Sequence, residues 1–408
     1  MRKYSILRDL SRARSAQPFD VGPMAPGAPG PLGAEPGPRM APFSEPKIEV
    51  GELSKRELRD VVRDPEVQAV APVMPTSLVW PVEDVQGTPR GEPAAANATW
   101  GVSAVGADQS LRSGAGTVVA VLDTGIDATH AAFTGATLVE QDFSGSGNGD
   151  LQGHGTHCAG TIFGRDVEGL RIGVAPGVDR ALIGKVLGDD GSGDSEMLFR
   201  GMQWAAQEGA HVLSMSLGFD FPGLVRELTA GGWPADLATS AALEAYRANL
   251  RMFDALMQMV RSRAAFGTGT VVVAAAGNES RRNVDPDYEI AVSLPAAAEG
   301  VLSVGALGEA AGGLEVAYFS NTFPQVSAPG VDVQSAASGG GLRSLNGTSM
   351  ATPHVAGVAA LWWEDVLASP LPASAAVVTA RLLANAITEV FADGVDVADR
   401  GSGLVRAP

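Results

Sequence analysis

The chain has 408 residues, of which 45% are hydrophobic and 18% charged, a composition typical of a folded globular protein rather than of a disordered one. Its formal charge of −17 argues against nucleic acid as a partner, because an acidic surface repels phosphates. Its single cysteine, Cys158, excludes an intramolecular disulfide and a cysteine-based zinc site.

The sequence predicts neither a membrane span nor a secretory leader of the usual kind. No run of 18 consecutive apolar residues occurs, so no spanning helix is predicted. The first residues, MRKYSILRDLSRARSAQ, are basic, but their apolar run from Tyr4 to Leu7 is too short for the core of a signal peptide. We therefore expect a cytoplasmic protein, with export by another route left open.

The N-terminal part alternates between Pro/Gly-rich segments and one ordered unit. Residues 18–46 contain nine prolines and five glycines, which predicts a linker. After it, KIEVGEL predicts a strand, SKRELRDVVRD a helix capped by Ser54 with Glu57 three residues later, and VQAVAPVM a second strand. Residues 83–98 then predict a second linker that is open to proteolysis.

From residue 99 onward, short apolar runs alternate with helical stretches. Residues 195–209 predict a helix in which Met197, Met202 and Ala205 or Ala206 share one face. The alternation predicts a parallel sheet between layers of helices, with ligand sites just beyond the carboxyl ends of the strands. Five runs have the β-branched, apolar character of strands buried on both faces, at 117–123, 180–187, 211–218, 270–278 and 301–307.

Two candidate catalytic groups follow the first of these strands. Asp123 ends the strand TVVAVLD; taken alone, it is also typical of a turn or helix-capping residue. His154 and His157 lie three residues apart in GHGTHCAGTI, which raises the alternative of a metal site, but no H-E-x-x-H pattern accompanies them. A base and a structural histidine at the start of the next helix are the simpler interpretation.

A candidate nucleophile lies near the C-terminus. Ser349 stands in NGTSMATPHVAGVAALWW, where a glycine-bearing turn becomes an apolar helix, so its hydroxyl can point away while the first backbone N–H groups stay free. In isolation the same serine also fits a helix N-cap. Pro353 is expected in the first turn, where its missing N–H is not needed. A serine nucleophile requires a base and a group that fixes the tautomer of that base.

Together, the motifs DTGID, HGTHCAG and GTSMATPHVAG make residues 99–408 resemble the subtilisin family of serine peptidases. The resemblance implies a three-layer α/β fold of the subtilisin type, with a mainly parallel central sheet flanked by helices. It also implies that Asp123 orients His154, that His154 is the general base and then acid, and that Ser349 is the nucleophile. Asp150 matches an acidic position that is common in the family near the substrate cleft.

The resemblance also implies substrate-facing roles. Asn278, at the end of TVVVAAAGN, would supply a side-chain donor of the oxyanion hole, partnered by the backbone N–H of Ser349. Glu279 either favours a basic residue at the mouth of the specificity pocket or is simply solvated. Backbone pairing implies an extended polypeptide substrate, and small wall residues predict a pocket open to a large side chain. The pocket walls are expected at Ser216, Leu217, Gly218, Ala275, Ala276 and Gly277.

Other stretches depart from the family pattern. Residues 219–269 are longer than this part of the family core usually is, and their first part is a candidate lid. Structural calcium stays open without assigned ligands, because AAFTGA replaces an acidic residue often present in relatives, and Asp166 and Glu168 make no convincing cage. No other metal and no cofactor are expected. The longer region also predicts a long helix with an apolar face, for which burial in the core is favoured over a groove for a partner. The residues of this face are Leu243, Tyr246, Leu250, Phe253, Leu256, Met257 and Val260.

The N-terminal part resembles the inhibitor domain that often precedes peptidases of this family. ELRDVVRDPEVQAVAPVM is similar to the closing helix and strand of such a domain, and YSILRDL would be its first strand. This small α+β prosegment would occupy the cleft through residues 73–80, or through the linker up to Ala96, until it is cut. The expected organisation is a basic N-terminus and linker at 1–46, the prosegment at 47–82, a linker and processing region at 83–98, and the peptidase at 99–408.

The sequence therefore predicts a serine endopeptidase that acts on extended polypeptides through an acyl-enzyme on Ser349 and is made as an autoprocessed zymogen. Its expected partners are protein or peptide substrates and its own prosegment, and neither nucleic acid nor a membrane. A selective intracellular processing role is favoured over general degradation. The alternative is a catalytically silent pseudoprotease that binds peptides in the same groove. Cys158, four residues after His154, is expected to be buried and inert.

Overall fold

The computed structural model describes residues 2–10, 46–83, 97–263, 269–370 and 372–408. Most of each predicted linker, 18–46 and 83–98, lies outside these ranges. The elements are labelled in chain order. The N-terminal part contains β1 (Arg2–Asp9), β2 (Pro46–Leu53), α1 (Lys55–Val62), β3 (Val67–Pro72) and β4 (Pro75–Leu78).

The N-terminal unit is an antiparallel sheet in the order β2-β1-β3 with one helix. The two strands and the helix predicted from the sequence are confirmed, and so is the cap: Glu57 N–H donates to Ser54 Oγ, and Ser54 N–H donates to the Glu57 carboxylate. The unit does not begin at residue 47, however. YSILRDL lies in β1, the central strand, so the unit is incomplete without the residues before the first linker.

The rest of the chain is built around a larger, eight-stranded sheet. Seven strands follow the order β13-β12-β11-β9-β5-β7-β6, and β14 also pairs with β12 outside this order. All its pairings are parallel except that of β12 with β13. This confirms the mainly parallel sheet. Its strands are β5 (Val118–Asp123), β6 (Thr137–Asp142), β7 (Arg180–Lys185), β9 (Val212–Met215), β11 (Val271–Ala275), β12 (Val301–Ala310), β13 (Gly313–Val316) and β14 (Val326–Pro329).

Helices cover both faces of this sheet. Val119 and Val121 of β5 join one hydrophobic cluster, whereas Ala120 and Leu122 join the other, because successive side chains of a strand point to opposite faces. The helices His154–Phe163 and Thr348–Leu367 contribute to the first cluster, and the helices Ser195–Gln207 and Ala235–Arg263 to the second. The predicted three-layer fold is confirmed. The helices are α2 (Trp100–Ala104), α3 (His154–Phe163), α4 (Ser195–Gln207), α5 (Phe221–Ala230), α6 (Ala235–Arg263), α7 (Thr348–Leu367), α8 (Ala375–Ala384) and α9 (Val397–Arg400).

The apolar run 211–218 does not form one strand. It divides at Ser216 into β9 and β10 (Leu217–Phe219), and β10 leaves the central sheet. It forms a small antiparallel sheet in the order β10-β4-β8, where β8 is Ser192–Asp194. Strand β4, which follows the N-terminal unit, thus lies between β10 and β8, two strands of the part of the chain after residue 97. A further hairpin joins β15 (Val333–Ala336) to β16 (Leu342–Leu345).

The region 219–269 forms α5 and the long helix α6. Four of the residues predicted to be buried in α6 are so, Phe253, Leu256, Met257 and Val260, and Tyr246 and Leu250 are half-buried. Leu243 is 48% exposed, so its prediction as a core residue is wrong. The buried face at this end instead carries Ala242, Ala245 and Asn249, because β3 packs there and Asn249 Nδ2 donates to Pro72 O at 2.9 Å.

Across the described parts of the chain, none of the helices combines the length and the apolar character that a membrane span requires.

Candidate active site

Asp123 and His154 form a buried pair at the carboxyl edge of the sheet. Asp123 is the last residue of β5, and His154 is the first residue of α3. Asp123 Oδ1 lies 2.8 Å from His154 Nδ1, and both side chains are 1% exposed. Because a carboxylate only accepts, Nδ1 carries a proton, and in the neutral ring Nε2 is then the acceptor. Burial lowers the pKa of His154, but the charge and hydrogen bond of Asp123, together with the neighbouring Cys158, outweigh burial and raise the pKa well above its ordinary value.

Asp150 fixes the loops that carry this pair. One of its oxygens accepts from Thr124 Oγ1 at 2.9 Å and from Gly153 N at 2.7 Å. The other accepts from the N–H and the hydroxyl of Thr156 at 2.8 and 2.7 Å. The carboxylate therefore ties the residue after Asp123 to the residues on either side of His154. It is a buried structural group and not an exposed wall of the cleft.

Ser349 is the second residue of α7 and is fully buried. The helix is capped by Gly347, so the N-cap alternative for Ser349 is wrong. Its hydroxyl donates to Val79 O at 2.6 Å. Within the described part of the chain, His154 Nε2 is buried without a hydrogen-bond partner. The serine hydroxyl is thus directed at the carbonyl of Val79, the residue after β4, and not at the imidazole.

Pro353 is the sixth residue of α7, so its expected place in the first turn is wrong. A proline there cannot donate to the carbonyl four residues earlier, which is that of Ser349. Ser216 Oγ donates to Ser349 O at 3.0 Å instead. Ser216, predicted only as a pocket wall, therefore secures the backbone of the candidate nucleophile.

Asn278 lies three residues after the end of β11, with its amide oriented by the start of α7. Its Oδ1 accepts from the N–H and the hydroxyl of Thr348 at 2.9 and 2.8 Å. Its Nδ2 is therefore directed into the cleft, where it donates to Trp80 O at 2.9 Å. The role of Thr348 was missed in the sequence analysis; its position next to Ser349 was the available signal.

Residues 75–82, called the tail below, run through the whole cleft. Thr76–Leu78 pair antiparallel with Leu217–Phe219, and Gly218 faces Ser77. On the other side, Pro75–Ser77 pair with the strand Ser192–Asp194. The tail continues past the serine, where Val82 and Asn346 exchange two hydrogen bonds at 2.8 and 3.0 Å.

Val79 occupies the cleft opposite Ser349. Its side chain is 4% exposed, and its Cγ2 lies 3.5 Å from the position that a Cβ on Gly218 would take. A Cβ at position 218 would therefore lie in ordinary van der Waals contact with this side chain. Trp80, in contrast, is 53% exposed.

The residues predicted as pocket walls have unequal roles. Leu217 and Gly218 pair with the tail, and Ala276 accepts a hydrogen bond from Ser293 N at 3.1 Å. Ala275 ends β11, and Gly277, with a φ of 113°, turns the chain into Asn278. Glu279 is exposed but not simply solvated, because it accepts from Asn321 Nδ2 at 2.6 Å. Its preference for a basic substrate residue stays a prediction.

The candidate lid contacts the tail at one end. Asp220 N–H donates to Pro75 O at 3.1 Å, and α5 follows directly. Asp220 and Arg226 also line a cavity of about 370 Å³ beside Val79 and Trp80. Its action as a lid stays a prediction.

His157 and Cys158 follow His154 in the same helix and are both fully buried. His157 Nε2 lies 3.0 Å from Val333 O, and burial lowers the pKa of His157 to about 3, which keeps the ring neutral. Burial raises the pKa of the Cys158 thiol, so it stays protonated. In the ranges that the structure describes, the one grouping of three or more potential metal-ligating side chains is Asp123, His154 and Cys158.

Comparison with known proteins shows the family to which the chain belongs. The model of the Subtilase family, Peptidase_S8, matches residues 114–403. The thermostable alkaline protease of Halalkalibacterium halodurans is 33% identical over 327 residues, which cover 78% of this chain and 73% of that protein. Subtilisin BL and Subtilisin Savinase, both of Lederbergia lenta, are each 37% identical over 268 residues, 64% of this chain and 82% of theirs. The chain belongs to the subtilase family and is a serine endopeptidase of the subtilisin type.

Proposed function

We propose that this endopeptidase is made as a zymogen that is inhibited by its own N-terminal unit and cleaves itself between Val79 and Trp80. The observation that carries the proposal is the tail, which lies in the cleft as the middle strand of a sheet and brings Val79 O within 2.6 Å of Ser349 Oγ. A strand added between two sheet edges is a general way of binding extended peptides. Other polypeptides would bind along the same two edges once the tail has left.

The proposed chemistry uses Asp123, His154 and Ser349 as a triad. His154 Nε2 takes the proton of Ser349 as Oγ attacks the substrate carbonyl carbon, and later gives it to the leaving amine. Asp123 holds the imidazole with its Nδ1 protonated and stabilises the cation that forms. Water then hydrolyses the acyl-enzyme by the reverse sequence of proton transfers. The negative charge on the substrate oxygen would be met by Asn278 Nδ2 and by the free N–H of Ser349 in the first turn of α7.

Two contacts support an inhibitory role for the uncut tail. The Ser349 hydroxyl donates to Val79 O, so its proton is not shared with His154. The Asn278 amide donates to Trp80 O, one residue beyond the carbonyl that would need it. Attack therefore requires the Val79 carbonyl to turn away from the hydroxyl and toward the oxyanion donors. Until then the tail excludes other peptides.

The register of the tail supports Val79–Trp80 as the bond that is cut. Val79 is the buried residue beside Gly218, and its carbonyl is the one that meets the nucleophile. The next bond, Trp80–Pro81, has a proline nitrogen as the leaving group and follows a side chain that is half exposed. The Trp80–Pro81 bond therefore has neither a buried side chain before it nor a carbonyl that meets the nucleophile.

We expect mature protein to begin at Trp80 at the earliest times of processing. Intact mass and N-terminal sequencing of freshly folded protein would show it. The change Val79→Asp should slow the cut about tenfold or more, because it would bury a charge beside Gly218. The same substitution at Val62, which is 61% exposed on α1, is the matched control and should leave the rate unchanged. A first product that begins at another residue would contradict the proposed bond.

Replacing Asn278 with alanine should lower kcat by about a hundredfold to a thousandfold, the loss that removal of one oxyanion donor causes. KM should change little, because Asn278 does not pair with the part of the tail before Val79. Steady-state hydrolysis of a fluorogenic peptide would measure both. Asn385→Ala, which changes an exposed asparagine on the C-cap of α8, is the control. Unchanged turnover in Asn278→Ala would remove this residue from the mechanism.

A further inference from the structure

Asn321 is a fully buried asparagine whose side chain is bound to the turn that carries Asn278. Its Oδ1 accepts from the N–H groups of Glu279 and Ser280, each at 3.1 Å. Its Nδ2 donates to Ala276 O at 3.1 Å and to the Glu279 carboxylate at 2.6 Å. One amide group thus holds residues on both sides of Asn278.

The turn has a particular need for such a bond. Ala276 N–H donates to Val304 O and is the last link of this segment to the central sheet. Gly277 then adopts a φ of 113°, a conformation in which only glycine is unstrained. A Cβ on Gly277 would also lie 2.3 Å from Asn321 Nδ2, so the two residues fit each other closely. The chain leaves the sheet here. One backbone bond, from Asn321 N–H to Gly277 O at 3.1 Å, and the side chains of Thr348 and Asn321 then fix its path.

We infer that Asn321 is a positioning residue for peptide hydrolysis, which fixes the turn from Ala276 to Ser280 so that Asn278 Nδ2 lies at the oxyanion position. The inference rests on the proposed role of Asn278. Thr348 orients the amide group of Asn278, and Asn321 places the backbone from which that amide projects. Donors act on the developing charge only at the correct distance, so a displaced turn lowers the rate even though Asn278 is present.

The specificity pocket does not depend on Asn321 in the same way. The N–H of Ala276 is bound to Val304 O at 3.0 Å, and its carbonyl also accepts from Ser293 N at 3.1 Å. The pocket-wall residue therefore keeps both backbone partners when the Asn321 side chain is lost. The turn after Gly277 does not, because Glu279 and Ser280 lose the oxygen that their N–H groups share. Removal of Asn321 should therefore affect kcat more than KM.

The test compares Asn321→Ala, Asn278→Ala and the double variant in the full chain. Conversion at Val79–Trp80 is followed as a first-order rate, and kcat and KM on a fluorogenic peptide are measured after titration of active sites with a fluorophosphonate. Asn321→Ala should lower kcat about tenfold to a hundredfold and change KM by less than about threefold. In the Asn278→Ala background it should cost less than about threefold more, because the group that it positions is gone.

A second pair of variants keeps the test valid if the alanine variant folds poorly. Asn321→Asp keeps the size of the side chain and the oxygen for two N–H groups, but places a carboxylate next to Glu279. Its kcat should fall, and Glu279→Gln in the same chain should restore it about tenfold, since the glutamine can donate where Asn321 did. General damage to the fold would not be repaired in this way. Thr322→Val, a change at the neighbouring buried residue, is the control.

The outcomes separate this inference from the proposed function. If wild-type protein neither converts nor hydrolyses peptide, the proposed function fails, and the inference fails with it. If wild type is active and Ser349→Ala is not, the inference alone is overturned by any of three results. These are an unchanged kcat in both Asn321 variants, a loss confined to KM, or a loss in the Asn278→Ala background as large as in the wild-type background.

Discussion

Replacing Ser349 with alanine is expected to leave the chain uncut at Val79–Trp80 and to lower its hydrolysis of added peptide by about a millionfold, the loss that removal of the nucleophile causes in the related subtilisin. The variant lacks the hydroxyl oxygen that α7 places 2.6 Å from Val79 O. Without it, no acyl-enzyme forms in either reaction. Mass spectrometry of the purified chain and a fluorogenic peptide assay measure the two effects.

The same variant separates an active enzyme from a silent peptide-binding protein. A fluorophosphonate probe should label wild-type protein once the tail has been cut, and should not label Ser349→Ala. Ser369→Ala, a serine in the turn after α7, is the matched control and should be cut and labelled like wild type. If wild-type protein is cut by an added protease after Val79 and still takes no label, the pseudoprotease alternative is favoured.

Sequence reasoning finds the triad because each member stands in a short motif of its own. Asp123 ends an apolar strand, His154 begins a glycine-bracketed helix, and Ser349 lies in the first turn of an apolar helix. Parallel strands place their carboxyl ends along one edge, so the three motifs converge once the alternation of strands and helices is recognised. The core strands are predictable for the same reason, since being buried on both faces leaves a continuous apolar run.

Other features depend on contacts between distant residues and are not contained in any one motif. Val79 meets Ser349 across 270 positions, and Asn321 meets Glu279 across 42. The exposure of Leu243 could not be predicted, because the buried face of α6 at this point is determined by packing against β3. Asn249 and Pro72, which connect the two elements, are 177 positions apart in the sequence. The effect of Pro353 could not be predicted for the same reason. Pro353 cannot donate to the carbonyl of Ser349, and only the structure shows that Ser216 Oγ donates to this carbonyl instead.

The change Asp123→Asn should lower kcat by about ten-thousandfold and leave binding of peptides nearly unaffected. Asp123 Oδ1 accepts from His154 Nδ1 and also from Thr124 N, each at 2.8 Å. An amide fits the same space but can offer an N–H to the ring, which favours the tautomer whose Nε2 carries the proton. That tautomer cannot take a proton from Ser349. Asp236→Asn, at an exposed position in the first turn of α6, is the control and should retain full activity.

The pH profile distinguishes this mechanism from simple loss of structure. His154 accepts a proton only when it is neutral, and Asp123 raises its pKa well above the ordinary value, so wild-type kcat/KM should fall as the pH drops through that raised pKa. In Asp123→Asn the carboxylate is gone and burial, which lowers the pKa of His154, remains. The acidic limb of the residual activity should therefore move to lower pH. An acidic limb at the same pH in both proteins would show that Asp123 does not set the charge of His154 in catalysis.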